Sequence, residues 1–144
     1  MKRLLNVQHQ DKNIDIAILI LRVSLASFML VHGIPKLTSL ISGDPVQFPP
    51  LIGSPEVSLA LAVFAEVFCS ILILFGLTTR LATIPLIITM LIAVFLIHAS
   101  DPFAKQEMGL HYLVGYIVLL ITGSGKFSLD HVILTKAPAL AYSK

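Results

Sequence analysis

Two ionisable residues stand inside long apolar runs of this 144-residue chain: Arg22 within residues 14–34 and Glu66 within residues 57–77. A charged side chain at the centre of a bilayer costs about 2.5–3.5 kcal/mol on insertion scales. Each therefore needs a partner. At about 1.5 Å of rise per residue, Arg22 lies about 12 Å from the start of its run and Glu66 about 14 Å from the opposite face. Their depths are comparable, and an Arg22–Glu66 ion pair between two adjacent helices is the expected arrangement. The helical phases permit it. Arg22, Ala26, Met29 and Gly33 share one face of the first run, and Ala62, Glu66, Cys69, Ser70 and Ile73 share one face of the second. Both stripes hold small residues, which let helices approach closely. Such a pair either fixes helix register or works in function, the usual role of intramembrane charges.

A second polar group lies near the ends of the runs. His32 and Lys36 close the first, His98 closes the third, and Glu107 and His111 open the fourth, four residues apart on one helix face. Asp101 sits in the short connection between His98 and Glu107. With helices that alternate in direction, all of these meet at one membrane surface. Imidazoles and carboxylates together suit zinc or copper, and they equally suit proton exchange with a bound quinone, since histidine titrates near neutral pH. Taken singly, each is an interfacial residue with a wet tip. No tight ligand motif such as H-x-x-x-H occurs, so no metal is assigned. Arg80 and Lys126 read as anchors to anionic headgroups. Cys69 has no partner thiol and reads as a packing residue, as do Tyr112 and Tyr116, one turn apart. No phosphate loop or nucleophile elbow is present, and no haem-binding pair faces across two helices at one depth.

The elements that position these residues follow from composition. The chain is 56% hydrophobic and 12% charged, with mean hydropathy +0.92. A soluble domain carries about 25% charge, so a free-standing soluble domain is excluded. The single cysteine excludes a disulfide scaffold, and a net charge of +2 gives no reason to expect nucleic acid. Residues 14–34, 57–77, 81–98 and 107–122 are each near the length of a membrane-crossing helix, the last being the shortest. Unpaired backbone is not tolerated in lipid, so these runs are helices. Their apolar stretches are continuous, which excludes an alternating β-barrel pattern. The expected fold is all-α: a transmembrane four-helix bundle over residues 14–130, between a segment 1–13 and a tail 131–144, both cytoplasmic. Pro35 marks the end of the first run, and Pro45, Pro49, Pro50 and Pro55 crowd the one long loop, residues 35–56, whose role the sequence leaves open. Thr78, Thr79 and Arg80 alone join the second run to the third, which forces an antiparallel pair. Lys2, Arg3, Lys12, Arg80, Lys126, Lys136 and Lys144 fall on one side and Lys36 and Lys105 on the other, which puts both termini in the cytoplasm. The first run is too long, and too interrupted by Arg22, for a cleaved signal.

Several of these residues together resemble the DoxX family of small four-helix membrane proteins. The matching features are Arg22, His32-Gly33-x-x-Lys36, Glu66, the turn Gly76-Leu77-Thr78-Thr79-Arg80, His98, Glu107, and Gly123-Ser124-Gly125-x-x-Ser128-Leu129-Asp130. The resemblance covers about residues 16–130. It implies a link to quinone and sulfur redox chemistry, in a family named for a small subunit of a quinol-linked terminal oxidase. Many members have no assigned reaction, and some stand as accessory proteins beside redox enzymes or metal-binding peptide systems. The positions carried over are Arg22, His32, Lys36, Glu66, Arg80, His98 and Glu107. The Pro-rich loop departs from the family pattern, and the chain has no redox-active cysteine pair.

Three functions fit these residues. The first is a multi-pass inner-membrane subunit, redox-associated, that binds a quinone or similar small apolar molecule. Arg22 and Glu66 then form its polar interior, and His32, Lys36, His98, Glu107 and His111 line its mouth; Arg80 completes the set of candidate ligand-binding residues. Histidine supplies hydrogen bonds and protons to a quinone head, and Lys36 stabilises a reduced oxygen. No haem, flavin or cluster ligands are recognisable, so the chain has no intrinsic cofactor and electron transfer requires a partner. The second is a non-catalytic accessory or scaffold subunit packed in the bilayer against other membrane subunits or copies of itself. The third is a small carrier of a metal or hydrophobic solute, disfavoured by the lack of repeated halves or a broken helix.

Overall fold

In the computed structural model, which describes residues 11–43 and 45–136, all regular structure is helical. The N-terminal Lys2 and Arg3 and the C-terminal Lys144, used above to orient the chain, lie outside the described residues. Helix α1 spans Asp11–Ile41, α2 Pro55–Phe75, α3 Thr79–Ile97, α4 Phe103–Thr122 and α5 Leu129–Lys136. The helices α1 to α3 are each long and apolar enough to cross a membrane. The first half of α4 carries Lys105, Glu107 and His111, which lower its hydropathy.

Helix α1 corrects the expectation that Pro35 ends the first run, for Pro35 lies inside the helix, which continues to Ile41. Proline removes one backbone donor and disfavours the helix locally, but α1 is held on both sides of it. Residues before Pro35 pack along α2, and the continuation presents Lys36 to the same neighbour. Residues 129–136 form α5, which carries the chain into the segment read above as the tail.

The ends of α2 follow from local sequence. Ser54 has extended backbone and its hydroxyl accepts from Val57 N, with Pro55 at the first helical position. At the other end Gly76 takes φ 68°, donating its N–H to Ile73 O while Leu77 N–H bonds Leu72 O, the Schellman pattern that satisfies terminal carbonyls. Helix α3 starts on Thr78, whose φ of 48° is unusual for a side-chain-bearing residue and whose own hydroxyl makes no cap. The cap comes instead from Asp130, whose carboxylate accepts from Thr78 N at 2.7 Å and Thr79 N at 3.3 Å.

Helix α1 packs on α2 and α4, and α3 packs on α2 and α4, so the four long helices close a ring. The stripes read from the sequence do face inward: Arg22, Ala26, Met29 and Gly33 are buried, as are Ala62, Glu66, Cys69, Ser70 and Ile73. Leu86, Tyr116 and Leu119 complete the centre. The exterior is apolar too: Ile20, Phe28, Val31, Phe68, Leu81, Phe95, Leu96 and Ile121 all stand exposed. An exterior of this kind has no place in water and matches acyl chains.

Candidate functional site

The expected Arg22–Glu66 pair does not form. Arg22 donates to the carbonyls of Ser124 at 2.9 Å and Phe127 at 2.7 Å, in the loop after α4, with the Asp130 carboxylate acting on it electrostatically. Glu66 takes Lys36 instead, Nζ to Oε1 at 2.5 Å. The reason is register. A Cβ at Gly33 would lie 3.0 Å from the Glu66 Cβ and 2.8 Å from Val67 Cγ2, so α1 crosses α2 at that point. Arg22 is eleven residues below the crossing, about 16 Å along the axis, whereas Lys36 is three residues above it, about 4.5 Å. Depths counted from presumed span ends misled because α1 runs past Pro35. The stripe of Arg22, Ala26, Met29 and Gly33 extends to Lys36 by the same spacing, and that was the available signal.

The Lys36–Glu66 pair sits in the wall of a cavity of about 520 Å³ between α2 and α3. This volume is typical of small-molecule sites. Most of the lining is apolar, including Ala62, Phe64, Pro85, Ile88 and Ile92; the polar exceptions are Lys36, Glu66, Ser58, Thr89 and His98. The Thr89 hydroxyl is already spent on the Pro85 carbonyl at 2.9 Å. Leu61, Phe64 and Ile88 flank the cavity and are themselves exposed, so it opens laterally between the two helices.

Two wide π-helical turns border this space, Phe64–Cys69 in α2 and Ala93–Ile97 in α3. The first contains Glu66 and the second leads into His98. Turns of this type are rare and concentrate at functional sites. No sequence pattern announced them.

The Pro-rich loop forms the roof. Phe48, Pro49, Leu51 and Ile52 line the cavity, and the Phe48 ring lies 5.9 Å from Lys36 Nζ, within cation–π range. Ser58 pins the loop: its hydroxyl accepts from Ile52 N at 3.0 Å and donates to Ile52 O at 3.1 Å. Phe48, Ser58 and Thr89 were missed at the sequence level because a cavity wall assembled from separate segments of the chain leaves no local periodicity.

His98 lines the cavity and meets the Asp101 carboxylate through Nδ1 at 2.7 Å, with Lys105 Nζ 3.7 Å from the same oxygen. The hydrogen bond from His98, aided by the Lys105 charge, holds the Asp101 carboxyl below the ordinary carboxylate range. Gln106 ties the turn by donating to His98 O at 2.8 Å and Asp101 O at 3.1 Å. His32 does not line the cavity; its ring meets Tyr112 edge-on at 5.9 Å. Glu107 and His111 are exposed on α4, where the His111 ring bonds the Glu107 carbonyl at 2.8 Å. Arg80 lies at the far end of the molecule and donates to Ile121 O at 3.1 Å. Among the described residues, no three histidine, cysteine or carboxylate side chains gather as a metal-binding group would.

These observations define an all-helical membrane protein with a ligand-sized, mostly apolar cavity and one buried charge pair in its wall. The DoxX family model matches residues 17–99, more than half the chain, and the chain belongs to the DoxX family. Its similar relatives include "Putative oxidoreductase CatD" of Bacillus subtilis (strain 168), 29% identical over 121 residues, 83% of this chain and 89% of the relative. Also similar are an uncharacterized protein of Haemophilus influenzae, 28% identical over 137 residues (90% and 91%), and the inner membrane protein YqjF of Escherichia coli (strain K12), 27% identical over 128 residues (85% and 95%). No solved structure matches the chain.

Proposed function

We propose that this protein is a redox-associated subunit of the inner membrane that takes a small apolar molecule with a polar head, a quinone being the best fit, into the cavity between α2 and α3. The observation that carries this reading is the Lys36–Glu66 pair in the wall of an otherwise apolar space. Lys36 offers N–H donors to a carbonyl oxygen, Glu66 an acceptor to a hydroxyl, and His98 an imidazole ring at the cavity edge. The pair is neutral as a whole, which favours an uncharged head over a carboxylate. The lateral opening suits a ligand dissolved in the bilayer. The relatives named for an oxidoreductase and for the inner membrane support the redox and membrane assignments. Electrons would come from a partner protein, since the described residues present no recognisable cofactor-binding motif.

In this reading α4 crosses the bilayer as a fourth span. Its 20 residues reach about 30 Å, and it packs along α1 and α3. Arg80 and Lys126 lie at the end shared by the N-terminus of α1 and by α5, which favours a cytoplasmic position for that end.

The test is extraction of the detergent-purified chain, followed by titration with a short-chain quinone. Bound or titratable quinone is expected, with affinity reduced at least tenfold in Lys36→Met and Glu66→Gln. A folded protein that neither carries nor binds quinone would remove the ligand reading and leave an accessory subunit that works through protein contacts.

A further inference from the structure

The outward face of α4 carries a row of residues that no other described residue covers. Glu107, His111, Val114, Val118 and Ile121 follow one another at spacings of four, three, four and three. That is the heptad spacing of a helix packed lengthwise against another helix. The bundle uses a different face of α4, through Tyr112, Leu113, Tyr116 and Leu119, which are buried. All five members of the heptad row are exposed, Val114 at 61%, Val118 at 38% and Ile121 at 69%. For these three, lipid is a sufficient neighbour. For Glu107 and His111 it is not, because ionisable side chains inside a membrane span face protein or water. His111 lies eight residues into α4, about 12 Å from its start, too deep for a short side chain to reach the surface as a lysine does. The row is also complementary to itself. His111 Nδ1 is engaged with the Glu107 carbonyl at 2.8 Å. Among the described residues that leaves His111 Nε2 and the Glu107 carboxylate without partners, an imidazole and an acid one turn apart.

We propose that α4 pairs with α4 of a second copy of this chain along Glu107, His111, Val114, Val118 and Ile121, which makes the protein a symmetric dimer in the membrane. About a two-fold axis along the membrane normal, His111 Nε2 shares a proton with the carboxylate of the partner's Glu107, and the same contact forms a second time by symmetry. Val114, Val118 and Ile121 interlock with their counterparts deeper in the bilayer, the packing that holds membrane helices together. A polar contact within such a seam fixes its register. A partner of another sequence would have to bring a matching acid and base at the same two depths, whereas a second copy brings them by symmetry. The low hydropathy of α4 then has a reason, since its polar positions belong to a protein interface. Helix α4 packs on α1 and α3, so the cavity mouth between α2 and α3 stays on another side of the ring and still faces lipid. The inference rests on α4 as a membrane span and is independent of what the cavity binds.

The test uses the full chain with Cys69→Ala, reconstituted in phosphatidylcholine vesicles. Val114→Cys and Val118→Cys, made singly, should form disulfide-linked dimers on mild oxidation. Phe95→Cys, exposed on α3, and Met108→Cys, exposed on another side of α4, should stay monomeric. Energy transfer between labelled copies, followed as the vesicles are diluted with lipid, gives the dissociation constant of the dimer. Glu107→Leu and His111→Leu should each raise it by about tenfold or more; both residues are exposed, so the bundle itself is kept. Labelling of Val114→Cys by a membrane-impermeant maleimide would remove the span, and the proposal with it. A protected chain that stays monomeric, or that dimerises equally well with both leucines in place, would overturn the seam and leave the span standing.

Discussion

The two ends of this molecule handle buried charge in different ways. At the end where the N-terminal half of α1 meets α5, Arg22 is surrounded by backbone. It donates to two carbonyls of the segment after α4, and Asp130 from that same segment caps the start of α3. Lys126 reaches back to Asp15 through both its N–H, at 3.1 Å, and its ammonium, at 3.3 Å. Each of these charges joins one chain segment to another. At the opposite end, the Lys36–Glu66 pair lines a cavity, with one carboxylate oxygen unclaimed among the described residues. A charge consumed by carbonyls is committed to the fold, whereas a charge pair that lines a cavity still has chemistry to offer.

Substitutions should separate the two ends, the largest effect coming from Arg22. Arg22→Met removes two charge-assisted hydrogen bonds and strands their carbonyls, so a loss of about 3 kcal/mol or more is expected. Thermal unfolding in detergent measures it, and the folded fraction should keep its cavity affinity. A variant as stable as wild type would break the contrast. Gly76→Ala attacks the same hub. Its φ of 68° disfavours any side chain, and the new Cβ would overlap the Arg22 guanidinium and approach Ser128; a cost of about 1–3 kcal/mol is expected, again without loss of ligand binding.

At the cavity end, the two halves of the ion pair should respond unequally. Glu66 is buried at 3% side-chain exposure while Lys36 retains 34%. Lys36→Met leaves a buried carboxylate alone, so it should destabilise more than Glu66→Gln, which leaves a lysine able to reach water. Equal losses from the two variants would mean that the pair is not partitioned as described. Ser58→Ala frees the roof over the cavity from Ile52, with an expected cost of about 1 kcal/mol and faster ligand exchange, measurable by stopped-flow fluorescence of a bound probe. The smallest effect is a pH dependence at Asp101. Its carboxyl is held below the ordinary range, so its contribution is present above the unfolded pKa, about 3.9, and is lost as pH falls through the lower folded value. Asp101→Asn should therefore be slightly less stable than wild type at neutral pH, and the difference should vanish in strong acid. A difference that persists there would locate the effect elsewhere than in the His98 contact.

The helical class and the inward faces were readable from sequence because both depend on short-range regularities. Long apolar runs must satisfy their backbone internally, and a period of 3.6 residues places Ala26, Met29 and Gly33 on one side of α1 whatever surrounds it. Glu66 was likewise singled out by type, since charge amid hydrocarbon is costly wherever the helix goes, and Lys36 and His98 were singled out as polar residues that cluster at the ends of the runs. Which charge met which was not readable. Partnership depends on where two helices cross, and that was set by Gly33 fitting against Glu66 and by a helix that continued through Pro35. The cavity, its roof of Phe48 to Ile52 and the paired π turns at its border were decided only by tertiary packing. Their energies come from contacts between segments far apart in the chain, which carry no signal in either segment alone.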